Sequence, residues 1–253
     1  MNFFSRFIRG GERRLNPQTV TYREALSFFE DRRDQYLEAA VLLARLVTPE
    51  DDFIDVGANI GFFAHEYMKA VSFQGEAHLF EPVPNLARLC SATFAELPYR
   101  VTVHPFALGN SEGSFPIYTA DDGNIGWNTF VAGKASGGMK QVTVQTRRFD
   151  ALGIDLSGVG AIKIDVEGGE FRVLRGMLPA LQQSRRLPVL LVEVGWGKSH
   201  PNWSDELEIF SELALLGYRS LDPDGSAVEV AGIEGTRDVL FLPERLKETF
   251  GVP

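Results

Sequence analysis

The residues of this sequence that could do chemistry fall into a few short motifs. The first is DVGANIG, from Asp55 to Gly61, which follows a short apolar run. Glycines such as Gly57 let a backbone turn approach a ligand closely, and the free N–H groups at the start of a following helix would point at that ligand. The carboxylate of Asp55 favours a ligand with an ammonium or sulfonium group and no phosphate.

The glycine spacing separates two classes of nucleotide ligand. A dinucleotide fingerprint, G-x-G-x-x-G, that begins at Gly57 requires glycine at positions 59 and 62, where the sequence has Asn59 and Phe62. S-adenosylmethionine carries a sulfonium group and no phosphate, so the motif favours it over NAD. The alternative is a turn that only ends a strand, with Gly61 permitting close packing.

Glu81 is the second candidate, because it directly follows an apolar run at residues 77–80. A carboxylate at the end of the second strand can accept hydrogen bonds from both ribose hydroxyls of a nucleoside bound at the first turn. Ribose binding does not distinguish S-adenosylmethionine from NAD, and a solvated loop acid is the alternative. Residues 106–110 follow the third strand, where their backbone would pass beside the adenine.

Further acids are expected at the same edge of the sheet. The motif KIDVEGGE, residues 163–170, places several carboxylates after a central strand. They could orient or deprotonate an acceptor hydroxyl or hold a divalent cation, and Asp165 is best placed to touch the ligand. Helix capping with an ion pair to Lys163 is the alternative, and we assign no metal site. Glu193 and His200 follow the fifth strand. His200 titrates in the range of a general base, so Asp165 and His200 are both candidate catalytic bases.

Alternating strands and helices from Asp52 onward would position these motifs. Mostly apolar, strand-like segments at 53–56, 77–80, 101–104, 161–165 and 188–194 predict parallel strands, and helical spacing of apolar residues between them predicts helices on both faces. The helix after the fourth of these strands is expected from about Glu170 to Gly176. Two closing strands, 218–221 and 239–242, lack a helical crossover and predict an antiparallel last element. The fold class is therefore α/β with a mostly parallel sheet.

One interruption separates the third and fourth strands. Residues 114–118 and 141–145 alternate like strands and predict a pair, with a glycine-rich loop at 121–138 between them. Long loops in compact domains are usually functional or disordered. Trp127, Asn128 and Thr129 within the loop favour a lid that meets ligand.

Composition bounds the partners. The chain has 253 residues and a formal net charge of −9, which disfavours general nucleic-acid binding through phosphate neutralisation. Cys90 is the single cysteine, which fits a reducing, cytoplasmic location. No apolar run is long enough for a transmembrane helix. Several copies of the chain could assemble, and the sequence does not determine whether they do.

An N-terminal helical extension, residues 1–49, is expected to precede a second unit at residues 50–253. The pattern T-x-x-E at Thr21 and Glu24 has the form of a capping box. Phenylalanines and arginines in the first 14 residues allow a weak membrane-surface helix. Packing of that segment on the domain or on a partner subunit is the favoured interpretation.

Four motifs together resemble those of the FkbM-type methyltransferases. DVGANIGFFA, FEPVP, ALGN and IKIDVEGGEFRVLRG occur in matching order and spacing over roughly residues 50–245. The resemblance implies a Rossmann-like class I methyltransferase fold with seven strands, S-adenosylmethionine as cofactor, and methyl transfer to an oxygen of a sugar or natural product.

The resemblance also implies roles for single residues. The methionine part of the cofactor would be faced by Asp55, Gly57, Asn59 and Gly61. The ribose would be bound by Glu81 and the adenine bordered by Ala107 and Leu108. The methyl group would lie near Asp165. A non-catalytic domain that binds S-adenosylmethionine or a partner protein is the alternative from another class. An NAD-dependent enzyme is a further alternative, disfavoured by the glycine spacing.

Overall fold

The computed structural model describes residues 15–119, 125, 128–131 and 139–246. The phenylalanine- and arginine-rich segment before residue 15, for which membrane-surface contact was one interpretation, lies outside these residues. Trp127 and most of the predicted 121–138 lid lie outside them as well.

Strand and helix alternate along the chain as predicted, and seven strands form the main sheet. Their bounds are β1 (Asp52–Val56), β2 (Glu76–Phe80), β3 (Arg100–His104), β8 (Val159–Ile164), β9 (Val189–Val194), β10 (Tyr218–Leu221) and β11 (Arg237–Pro243). The order across the sheet is β10-β11-β9-β8-β1-β2-β3. Only β11 runs antiparallel to its neighbours β9 and β10, which confirms the predicted antiparallel last strand.

Six α-helices lie in the described part of the chain. They are α1 (Tyr22–Glu30), α2 (Arg33–Ala44), α3 (Phe62–Val71), α4 (Pro84–Phe94), α5 (Glu170–Gln183) and α6 (Trp203–Leu215). The predicted capping box at Thr21 and Glu24 is present at the start of α1. Apolar residues cover both faces of the sheet and form its two main core clusters.

Helix α5 is longer than predicted. The sequence suggested an end near Gly176, but the helix continues through Pro179 to Gln183. Met177 and Leu181 continue the buried face beyond the glycine. Burial of that face outweighs the roughly 1 kcal/mol by which glycine disfavours a helix.

A second, smaller sheet is inserted between β3 and β8. It contains β4 (Ala107–Leu108), β5 (Gly113–Thr119), β6 (Asn128–Thr129) and β7 (Lys140–Arg147) in the order β4-β7-β5-β6. The antiparallel pairing of β5 with β7 confirms the predicted strand pair. β4 and β6 have two residues each, too few for any periodicity to reveal.

The N-terminal helix α1 packs against α3 and α4, the helices that follow β1 and β2. Phe28 and Phe29 of α1 share an apolar cluster with Phe62 of α3 and with Leu86 of α4. This places the described part of the extension beside the first turn of the sheet. The division of the chain at residue 49 stays a prediction. None of the helices that the structure describes is long and apolar enough to cross a membrane.

Candidate active site

A cleft of about 770 Å³ opens at the carboxyl ends of the parallel strands, the edge where open α/β sheets bind ligands. Strand ends from β1, β2 and β8 meet there because those strands are neighbours in the sheet. The following predicted site residues line this cleft: Gly57, Asn59, Glu81, Ala107, Leu108 and Asp165.

Two residues of the turn after β1, Gly57 and Asn59, have positive φ angles. Gly57 has φ +89°, and a Cβ atom at this position would lie 1.9 Å from the carbonyl oxygen of Asp165. Only glycine fits this contact, which joins the ends of β1 and β8. Asn59 also adopts positive φ, at 51°. Its side-chain Nδ2 donates to the carbonyl of Ile125 at 2.8 Å.

Asp55 and Gly61 lie behind the residues that line the cleft. Asp55 is fully buried within β1, and Gly61 lies at the start of α3, where a Cβ would press on the ring of Phe94 at 2.5 Å. Neither is among the described residues that line the cleft. Asp55 lies 3.7 Å from Lys163 Nζ, and Gly61 permits packing of α3 on α4. That both face the methionine part of a cofactor stays a prediction.

Glu81 connects the turns that follow β1 and β2. Its Oε2 accepts a hydrogen bond from the backbone N–H of Asn59 at 2.9 Å, and its Oε1 accepts one from Val83 at 2.8 Å. The side chain is 4% exposed. Burial raises its pKa to about 7, although the two backbone donors oppose the shift. A carboxylate oxygen can accept more than one hydrogen bond, so Glu81 retains capacity for ribose hydroxyls.

The short strand β4 supplies the wall on the far side of Glu81. Ala107 and Leu108 are buried and line the cleft. Their strand pairs with β7 of the second sheet, and the adjoining Gly109 touches α5, where a Cβ on Gly176 would lie 2.1 Å from the Gly109 carbonyl oxygen. An apolar wall fixed from two sides is suited to a planar base.

Carboxylates converge at the end of β8. Oxygen atoms of Asp165, Glu167 and Glu193 all lie within 4.8 Å of one another. Lys163 Nζ donates to Asp165 Oδ2 at 3.0 Å and lies 3.7 Å from Asp55 Oδ1. Burial would lower the pKa of Lys163, but the Asp165 and Asp55 carboxylates outweigh it and raise that pKa. Lys163 is therefore a fixed cation within an acidic group.

Burial raises the pKa values of several carboxyl groups around Lys163. Burial raises the pKa of Asp55 to about 6 against the attraction of Lys163, and it raises the pKa of Glu193 well above its usual range. Asp238 of β11 pairs in register with Glu193, and burial and Asp165 raise its pKa as well. Glu170 Oε1 accepts from the backbone N–H groups of Val166 and Gly168, so Glu170 holds the loop in shape.

His200 is buried away from solvent, with both ring nitrogens engaged. Its Nε2 lies 3.0 Å from the carbonyl oxygen of Gly168, and its Nδ1 accepts from the backbone N–H of Asn202 at 3.0 Å. The ring stacks on Trp196 at a centroid distance of 5.5 Å. A carbonyl partner requires a proton on Nε2, and Nδ1 is already an acceptor. The predicted role of His200 as a base does not fit this geometry, which ties the 195–200 loop to the turn after β8.

The described part of the inserted loop contacts two turns of the cleft, the one after β1 and the one after β8. Thr129 Oγ1 donates to the carbonyl of Glu167 at 2.5 Å, and Ile125 accepts from Asn59 as noted above. Asn128 and Phe130 line the cleft, and Asn128 Nδ2 donates to the same Ile125 carbonyl at 3.0 Å. We predicted that Asn128 and Thr129 belong to a lid that meets the ligand. In the structure Asn128 lines the cleft and Thr129 bonds to the turn after β8.

Two residues near the carboxylates at the end of β8, Asp238 and Tyr36, were not predicted from the sequence. Asp238 directly precedes the apolar run Val239–Leu242 of the last strand, and only the β9–β11 register places it beside Glu193. Tyr36 of α2 packs on Phe62 at a ring distance of 5.7 Å. Burial and the nearby Asp165 raise the pKa of the Tyr36 hydroxyl. No motif marks Tyr36, because helix packing alone brings it to the site.

The sheet order, the antiparallel last strand and a cleft at the strand ends define a class I methyltransferase fold. Residues 55–220 of the 253 match the family described as the methyltransferase FkbM domain. The chain belongs to this family. Membership confirms the resemblance predicted from the motifs and, with it, S-adenosylmethionine as the cofactor.

Solved structures with a similar fold include three methyltransferase-related proteins. A precorrin-6y C5,15-methyltransferase from Geobacter metallireducens GS-15 has 11% identity and a TM-score of 0.43, with 83% of this chain and 88% of that chain covered. A SAM-dependent methyltransferase from Aquifex aeolicus has 13% identity and a TM-score of 0.45, with coverages of 88% and 100%. Fibrillarin from Aeropyrum pernix, with natively bound S-adenosyl-L-methionine, has 12% identity and a TM-score of 0.45, with coverages of 81% and 73%. Similarities at this level carry no information about the substrate of this chain. No curated protein matches the sequence.

Proposed function

We propose that this protein is an O-methyltransferase that transfers a methyl group from S-adenosylmethionine to a hydroxyl of a sugar or natural-product-type small molecule. The observation that carries the proposal is the position of Asp165. This carboxylate lines the cleft between the β1 turn and the inserted loop, and Lys163 holds one of its oxygens at 3.0 Å. A carboxylate held in place there suits a hydroxyl substrate, whose proton it could accept.

The residues of the cleft fit the cofactor. Glu81 would accept the ribose hydroxyls, and Ala107 and Leu108 would pack beside the adenine. Asn59 would face the methionine part, where its buried Oδ1 has no hydrogen-bond partner within the described chain. An orphaned acceptor costs free energy when buried, and the ammonium group of the cofactor is a donor that would satisfy it.

The open side of the cleft suits a polyhydroxylated acceptor. Phe130 offers an apolar face, and Asn128 has a buried Oδ1 without a partner among the described residues. Aromatic and amide groups together serve the apolar and hydroxyl faces of a sugar ring. The net charge of −9 disfavours a nucleic-acid acceptor. The unpaired, buried Cys90 supports a cytoplasmic location as part of the proposal.

The chain's own residues would orient the acceptor and take its proton. When bound, S-adenosylmethionine supplies a methyl group on a good leaving group. Asp165 would accept the proton of the acceptor hydroxyl, and Lys163 keeps the Asp165 side chain in place. The walls at Gly57 and Leu108 would exclude water, and alignment within them can supply several kcal/mol of the barrier. His200 is assigned no proton transfer, because its ring nitrogens are engaged with Gly168 and Asn202.

Calorimetry of the full-length protein with S-adenosylmethionine and, separately, with NAD tests the cofactor. We expect saturable binding of S-adenosylmethionine alone. A screen of hydroxylated acceptors with methyl-labelled cofactor then tests the reaction. Asp165→Asn should bind the cofactor but transfer methyl about 10²–10⁴ times more slowly. Binding of NAD alone would overturn the proposal, and wild-type turnover in Asp165→Asn would remove Asp165 from the chemistry.

A further inference from the structure

Three carboxylates in the cleft are already spaced for a metal ion. Asp165, Glu167 and Glu193 each contribute an oxygen to a set that spans at most 4.8 Å. Two oxygens on opposite sides of Ca²⁺ are about 4.6–5.2 Å apart, since each Ca²⁺–oxygen bond is about 2.3–2.6 Å long. This spacing suits Ca²⁺ as it stands, and the shorter bonds of Mg²⁺ or Mn²⁺ would require side-chain rotations that bring the carboxylates slightly closer together.

Glu193 provides a second and separate observation. Its side chain is 4% exposed, and its Oε2 has no hydrogen-bond partner in the part of the chain that the structure describes. Buried carboxylates normally have a donor or a cation beside them, because an uncompensated buried charge costs several kcal/mol. One oxygen of the same carboxylate belongs to the convergent set, so a cation bound there would compensate the charge of Glu193.

The surrounding charges leave this space acidic. Lys163 is the one buried ammonium among the described residues that face the set, and it is engaged with Asp165 Oδ2 and with Asp55. Asp238 lies opposite Glu193 in the strand register. The excess of carboxylates over cations favours a positive ligand.

We propose that Asp165, Glu167 and Glu193 bind one hard divalent cation of the Mg²⁺, Mn²⁺ or Ca²⁺ type. An all-oxygen set of carboxylates selects these ions over softer metals. Water and the acceptor would complete the coordination, and in this ion-bound form the cation, rather than Asp165, would promote loss of the proton from the coordinated hydroxyl to solvent. That catalytic role rests on the proposed methyl transfer, whereas binding of the ion does not.

Mn²⁺ titration of the full-length, chelator-treated protein tests the site in the absence of cofactor and acceptor. Electron paramagnetic resonance counts free Mn²⁺, and calorimetry gives the dissociation constant. We expect one Mn²⁺ per chain, with affinity reduced at least about tenfold in both Glu193→Gln and Glu167→Gln, because each loses one of three charged ligands. Glu206→Gln is the matched control: Glu206 is also a buried acid, but it lies outside the set, and its variant should bind Mn²⁺ like the wild type.

Two results would overturn the site: no saturable Mn²⁺ binding by the wild type, or wild-type affinity in both Glu193→Gln and Glu167→Gln. Circular dichroism shows that each variant is folded, and Glu167 is half-buried, so its replacement is the milder of the two. Titration of the same samples with S-adenosylmethionine separates the two proposals. Cofactor binding without Mn²⁺ binding removes only the metal site, and Mn²⁺ binding without cofactor binding removes only the proposed methyl transfer.

Discussion

Replacing Glu81 by Gln tests the cofactor pocket most directly. The wild-type carboxylate holds the N–H groups of Asn59 and Val83 and would accept two ribose hydroxyls. Hydrogen bonds to a charged group contribute about 1.5–3 kcal/mol each, roughly twice the value for a neutral acceptor. Losing that difference for two bonds costs about 1.5–3 kcal/mol, so Glu81→Gln should weaken S-adenosylmethionine binding by about 10- to 150-fold.

The same residue predicts a pH dependence. The pKa of Glu81 in the free protein is raised to about 7, so about a tenth of the side chains are ionised at pH 6 and about nine tenths at pH 8. If the ionised form binds the ribose, wild-type affinity for S-adenosylmethionine should rise about tenfold between these pH values. Glu81→Gln has no carboxylate to titrate, and its affinity should change much less over the same range.

Isothermal calorimetry at pH 6, 7 and 8 measures both effects. Glu76→Gln is the matched control, because Glu76 begins the same strand, β2, with its side chain 61% exposed. Thermal unfolding establishes that each variant is folded. Wild-type affinity in a folded Glu81→Gln protein would refute the ribose assignment, and a pH-independent wild-type affinity would refute the proposed need for an ionised carboxylate.

Further outcomes follow from glycine geometry and from a buried acid. Gly57→Ala should lower the unfolding midpoint much more than Gly153→Ala in calorimetric scans. Both have positive φ, which costs alanine about 1–2 kcal/mol, but only the Gly57 Cβ would collide with a backbone oxygen, at 1.9 Å; equal shifts would contradict this. Burial and Glu170 raise the pKa of Glu206 to about 9, so between pH 4.5 and 9 the folded state retains a proton that the unfolded state releases. Wild-type stability should therefore fall as pH rises through that window, by up to about 1.4 kcal/mol per pH unit, and Glu206→Gln should flatten the decline in urea unfolding; parallel curves for the two proteins would contradict the assignment.

Local patterns were sufficient to predict most elements of the fold. Strands such as β1 and β9 are short, mostly apolar segments bounded by turn residues, and helices such as α3 carry a regular apolar face. The end of α5 was wrong, because Gly176 lowers helix propensity only slightly while tertiary packing rewards the buried residues beyond it. Strands β4 and β6 were missed because two residues carry no period.

Residues that directly follow a strand could be assigned to the site from the sequence. Residues inside a strand could be assigned less well. Glu81 and Asp165 follow β2 and β8 directly, so the sheet order alone brings them to the cleft. Asp55 lies inside a strand that is buried on both faces, where the sequence does not tell which way a side chain points. Asp238 joins the carboxylate group through a pairing with a strand about 45 residues earlier in the chain, at Glu193.

The inserted sheet has a consequence for how this protein can diversify. Strands β5 and β7 pair with each other in a sheet of their own, while the residues between them reach the β1 turn through Ile125 and the β8 turn through Thr129. A recombination event that exchanged the sequence between β5 and β7 would replace one wall of the cleft and leave Glu81 and the seven-stranded core untouched. If the proposed function holds, such an exchange would alter the acceptor side of the cleft, and loops that keep a carbonyl at the place of Ile125 would preserve the contact with Asn59 on the cofactor side. A library of chimaeras with exchanged loops would test this.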